Sequence, residues 1–128
     1  MGVVFTVETL EFLHRGGRIN TGRRFLGTAL NIKPIMEVTG GKVEAIESVR
    51  TRSKSLGRVV ELIADRIGGR TPIRLATLHA NSPDDARQVL ELAVKELDPV
   101  ESILASVSPV IANHAGPGTV GLTFMAGI

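Results

Sequence analysis

Apolar and polar positions along this chain switch between a period of two and a period near 3.6, and the switches mark its elements. Residues 3–7, VVFTV, are β-formers in succession and predict a short strand; in the following ETLEFLHR, Leu10 and Leu13 recur at helical spacing. After Gly16-Gly17 a second helix is predicted from about Thr21 to Asn31. It carries Phe25, Leu26, Ala29 and Leu30 on one face, with Arg23 and Arg24 off that face and Asn20 or Thr21 as its cap. The stretch KPIMEVTGGKVEAIESV holds two β-type runs separated by Gly40-Gly41, a pair suited to the positive φ angles of a two-residue hairpin turn. With that turn Val38 faces Val43 and Met36 faces Ala45, so one side of the hairpin is apolar.

From about Thr51 to Ile67 the positions Leu56, Val59, Val60, Ile63 and Ile67 follow the i, i+3, i+4, i+7 pattern of a helix packed on one side, and Gly68-Gly69 ends it. IRLATLHA then reads as a buried strand. NSPDDARQVLELAVKEL follows as a helix, with Ser82 as N-cap, Pro83 at its first position and acids in its first turn; Ala86, Val89, Leu90, Ala93 and Leu97 form its buried stripe. VESILASVS and GTVGLTFMA are the last two strands, joined by a short turn or helix around residues 109–115. The strand-helix-strand unit from Ile73 to Ser106 calls for a right-handed parallel crossover, whereas the glycine hairpin is antiparallel. The expected fold is therefore a two-layer α/β sandwich: a mixed sheet of about six strands with helices packed on one face, forming one domain over residues 1–128.

Composition narrows the chemistry. With no cysteine there is no disulfide framework, thiol nucleophile or thiolate metal site, which suits a cytoplasmic protein. No stretch approaches the ~20 apolar residues of a membrane span, and the start lacks a basic region followed by an apolar run, so a soluble protein without stable membrane insertion is expected. A net charge of +2 does not itself imply nucleic acid. The aromatic platform of single-strand binders is missing too, since there is no Tyr or Trp and the four Phe residues fall mainly on predicted core faces. The sequence has no GxxxxGK[ST] loop, GxSxG elbow or HExxH pair, and its three histidines are scattered. Neither a metal nor a cofactor is expected.

Two features remain. In IANHAGPGTVG, His114 stands against a Gly-Pro-Gly turn whose glycines permit close approach of a ligand or another backbone; a histidine bonded to a turn carbonyl fits the same spacing. His79, at the end of a strand, is open to the same two readings. The stretch HRGGRINTGRR gathers Arg15, Arg18, Arg23 and Arg24 beside a Gly pair, either as an anion-holding loop or as a solvated basic face. SVRTRSK places Arg50, Arg52 and Lys54 at the start of a helix, where cations oppose the helix dipole. Charge so placed invites an anionic partner.

LEFLHRGGRIN, FLGTALNIKPIMEVTGGKVEAIESVRTRSKSLGRVVEL, LATLHANSPDDARQVLE and VSPVIANHAGPGTVGLTF, in that order along nearly the whole chain, resemble the C-terminal domain of the DegV family of bacterial fatty-acid-binding proteins. The resemblance implies the acyl-carrying subunit of a fatty acid kinase system, which holds a long-chain fatty acid while a separate kinase subunit converts its carboxylate to an acyl phosphate. It also implies an N-terminal domain as partner, absent from this chain, whose hydroxyl residues share in holding the carboxylate. On this likeness His114 belongs to the head-group hydrogen-bond network and Gly116 and Gly118 let the turn approach it. Arg15, Arg18 and Arg50 match basic positions of a kinase-docking face, with Arg52 as their companion. From their apolar faces, Phe25, Leu26, Leu30 and Ile35 are the expected tail lining. A buried methylene contributes about 0.8 kcal/mol and a charge-assisted head-group bond roughly 1.5–3 kcal/mol, so the tail supplies affinity and the head orientation. Two other classes are compatible with the residues: a structural or protein-docking domain, and an enzyme acting on a phosphorylated metabolite.

Overall fold

Residues 2–7, 33–106 and 118–127 are those the computed structural model describes. Strands β1 (Gly2–Thr6), β2 (Lys33–Thr39), β3 (Lys42–Val49), β4 (Ile73–His79), β5 (Glu101–Ser106) and β6 (Val120–Ala126) form one sheet in the order β3-β2-β1-β6-β4-β5. Helix α1 (Arg52–Ile67) follows β3, and α2 (Pro83–Leu97) joins β4 to β5. The sheet is mixed, as its connections require: β4 and β5, linked through a helix, run parallel, and every other pair is antiparallel. The helices expected before Lys33 and the connection around residues 109–115 lie outside the described residues.

The hairpin forms as its glycines dictate. Gly40 and Gly41 take φ of 57° and 77°, the left-handed pair of a two-residue turn, and the register sets Val38 opposite Val43 and Met36 opposite Ala45. A register shift between Ile35 and Met36 marks a bulge that lets Glu47 rather than Ile46 face Ile35.

Pairing then decides which side is core. Val4 lies opposite Leu122, Leu75 opposite Phe124 and Ile73 opposite Ala126, so these side chains share a face. They form the floor on which Leu56, Val59, Val60, Ile63 and Ile67 of α1 and Ala86, Val89 and Ala93 of α2 pack. Leu90 and Leu97, expected in the buried stripe, are only partly covered. Each fully buried Val, Leu or Ile side chain stabilises by about 1.5–3 kcal/mol, which makes this interface the main source of stability. The hairpin is fastened to the same layer through ion pairs: Arg58 Nε donates to both Glu47 carboxylate oxygens at 3.0 Å, and Arg66 donates to Glu37 at 2.7 and 3.1 Å. Hydrogen bonds donated to Glu47 and then to Glu61 hold the Arg58 guanidinium's pKa above its ordinary range.

Helix ends follow the sequence with one difference. Thr51 caps α1, its hydroxyl accepting from the Lys54 N–H at 3.2 Å, and Gly68 at φ 62° closes it. Ser82 stands at the N-cap of α2, but its side chain makes no capping bond; instead its own N–H donates to His79 Nδ1 at 3.2 Å. Proline at the first helical position leaves one fewer unpaired N–H at this helix start and sets its φ for the helix.

Candidate functional site

Three segments meet where both helices begin: residues 50–52 leading α1, the loop from Ala80 to Ser82 leading α2, and Gly118-Thr119 leading β6. The loop and the β6 lead are stitched by a reciprocal pair, Gly118 N–H to the Ala80 carbonyl and Ala80 N–H to the Thr119 carbonyl, both 2.9 Å. Gly118 takes φ 89° and Asn81 φ 56°, conformations glycine adopts freely and asparagine tolerates. His79 is almost fully buried and serves this junction by accepting the Ser82 N–H, so its place at the strand end is that of a loop support.

Arg52 crosses all three segments. Its Nε donates to Asp85 Oδ2 at 3.0 Å and its Nη2 donates to the Gly118 carbonyl. Arg52, the expected companion of the docking arginines, has a side chain 19 % exposed and turned onto groups of its own chain. The physical reason is that a cation at a helix N-terminus needs a compensating acceptor, and Asp85 and the Gly118 carbonyl supply two. Arg50, two residues earlier, is exposed and makes no ion pair among the described residues. Ile35 is fully buried in the core cluster beneath α1. Gly118 lies four positions after His114 in the sequence. His114, Gly116, Phe25, Leu26, Leu30, Arg15 and Arg18 lie outside the described residues. Among the described residues no three His, Asp or Glu side chains gather as a metal ion would require, and no helix is long and apolar enough to cross a membrane.

The family model "Uncharacterised protein, DegV family" matches residues 1–127. The chain belongs to the DegV family. A DegV domain-containing protein of Streptomyces coelicolor is 38 % identical over 119 residues, which are 92 % of this chain and 42 % of that protein. Among solved structures, a fatty-acid-binding DegV protein from Thermus thermophilus matches 97 % of this chain and 45 % of its own at a TM-score of 0.89 and 35 % identity. A fatty-acid-binding DegV protein from Streptococcus agalactiae does so over 96 % and 44 %, at 0.86 and 30 %. The chain thus spans less than half the length of these DegV relatives.

Sequence reasoning missed Asp85 as part of this junction. The signal was present: SVRTRSK put uncompensated cations at one helix start while SPDDAR put acids at the next, and opposite charges at two adjacent helix starts can satisfy each other. What the sequence could not supply was the adjacency, which depends on β4 and β6 being neighbours in the sheet and on both helices packing over it.

Proposed function

We propose that the chain is the C-terminal part of a fatty-acid carrier: with a DegV N-terminal domain it holds a long-chain fatty acid and presents the carboxylate to a separate fatty acid kinase. One observation carries this reading, the match of nearly the whole chain to the fatty-acid-binding DegV protein of Thermus thermophilus. The chain acts as a binding protein and not as an enzyme. In it, His114 is a head-group donor, with Gly116 and Gly118 giving the turn room to approach, while Phe25, Leu26 and Leu30 line the tail. Ile35 supports that lining from within the core. The tail provides most of the affinity at about 0.8 kcal/mol per buried methylene, which leaves the carboxylate free to be oriented outward. A carrier requires that division, because the phosphoryl donor sits on another protein. Arg15, Arg18 and Arg50 form the surface that receives the kinase.

The test is incubation of the purified chain with mixed fatty acids and phosphorylated metabolites, followed by extraction and mass spectrometry. A retained long-chain fatty acid, in substoichiometric amount for this chain alone, is the expected result. A retained phosphate ester identifies an enzyme instead, and no retained molecule a docking domain.

A further inference from the structure

Strands β3 and β5 are the two edges of the described sheet, and the chain treats them differently. β3 is guarded: Lys42, Glu44 and Glu47 lie along it, and such charges discourage another strand from adding. β5 carries no Lys, Arg or Pro, and its single charge, Glu101, stands at its start. Among the described residues it pairs only with β4. Ile103 is 55 % exposed, and Leu104 and Val100 are exposed with it. The Val100 N–H donates to the Ile73 carbonyl of β4 at 2.8 Å. Successive residues of a strand turn their backbone groups to opposite sides, so Ser102 and Leu104 bond toward β4 while Glu101, Ile103 and Ala105 present theirs at the open edge. The apolar surface continues onto α2. Leu92 and Glu96 line a groove with Gly57, Val60 and Ala64 of α1, and Ala86, Val89 and Ala93 face the sheet; Val94, exposed, therefore falls on the flank turned away from α1 and toward β5.

We propose that β5 is a self-association edge: two copies of this chain join β5 to β5 antiparallel about a two-fold axis at Ile103, making one continuous sheet with α1 and α2 of both copies on the same face. The strand is complementary to itself in that register. A two-fold axis between antiparallel strands sets one residue opposite its own copy. Centred on Ile103, the outward groups of Glu101, Ile103 and Ala105 meet those of Ala105, Ile103 and Glu101 of the second copy, for about six main-chain hydrogen bonds. Ile103 packs on Ile103, Ser102 faces Leu104, and Glu101 faces Ala105, so no like charges oppose one another. Centring on either neighbour leaves one of the three outward residues without a partner inside the strand. This self-match is what selects a second copy as the occupant of the edge.

The test is sedimentation velocity of this chain over a concentration series. Monomer–dimer exchange is expected, with a melting temperature that rises with concentration. Ile103→Lys and Ile103→Glu each bring two like charges face to face on the axis, and each alone should weaken dimerisation at least about tenfold. An equimolar mixture of the two variants should recover the dimer, because lysine then faces glutamate. The chain has no cysteine, so single introduced thiols read the register directly. Ile103→Cys, with its two Cα atoms about 5.5 Å apart, should cross-link on mild oxidation; Ser106→Cys, whose copies lie about 20 Å apart, should not. A chain that stays monomeric throughout, a dimer indifferent to the Ile103 charges, a mixture that does not recover, or equal cross-linking at the two positions would overturn the proposal. None of these outcomes bears on the fatty-acid reading, which does not depend on β5. Should either charged variant fail to fold, the two cysteine variants carry the test.

Discussion

Single residues show best where the chain trades stability for position. Thr77 is fully buried on the helix-facing side of β4, and its hydroxyl finds no hydrogen-bond partner among the described residues. An unsatisfied buried hydroxyl costs about 1–3 kcal/mol, so Thr77→Val should raise the melting temperature; a lower one would mean that the hydroxyl is bonded after all. Gly118→Ala should do the opposite. At φ 89° an added side chain is strained by roughly 1–2 kcal/mol, and thermal unfolding should report the loss even though the substitution removes no contact. At this scale the sequence was partly legible. The glycine of the turn and the misplaced cation of Arg52 both stood out, because each breaks a local rule. Their partners did not, since Ala80, Asp85 and Gly118 are brought together only by the packed sheet.

Elements were the most readable level. The period of α1 named its buried positions, and the paired glycines named the turn and register of the β2-β3 hairpin, because in both cases the controlling interactions lie within a few residues. The N-cap of α2 read less well: Ser82 is where a cap belongs, yet the bond that forms is its own N–H to a histidine three residues back. Helix α1 offers a matched pair of tests. Ile63 is fully buried against the sheet, so Ile63→Ala should cost about 2–5 kcal/mol in chemical denaturation. Gly57 lies in the same helix with open space where a Cβ would stand, so Gly57→Ala should stabilise by about 0.5–1 kcal/mol. Equal effects of the two would contradict the assignment of the buried face.

For the whole molecule, the mixed sheet and its parallel β4-β5 unit followed from connection lengths, whereas the insertion of β6 between β1 and β4 did not: nothing local to VGLTFMA distinguishes the centre of a sheet from its edge. Function at this scale depends on surfaces. Reversing Arg50 to Glu should slow kinase-dependent acyl phosphate formation and blunt its salt sensitivity while palmitate affinity stays nearly constant, because exposed charges mainly steer association. A parallel fall in both would place Arg50 in the lipid site or the fold. The carrier reading itself is met most directly by calorimetric titration of palmitate into this chain, alone and joined to the N-terminal half of a DegV protein. Weak but saturable binding of one palmitate by the chain, tightened at least about tenfold by the added half, is the predicted result; the absence of saturable binding in both forms, or equal affinity in the two, would contradict it.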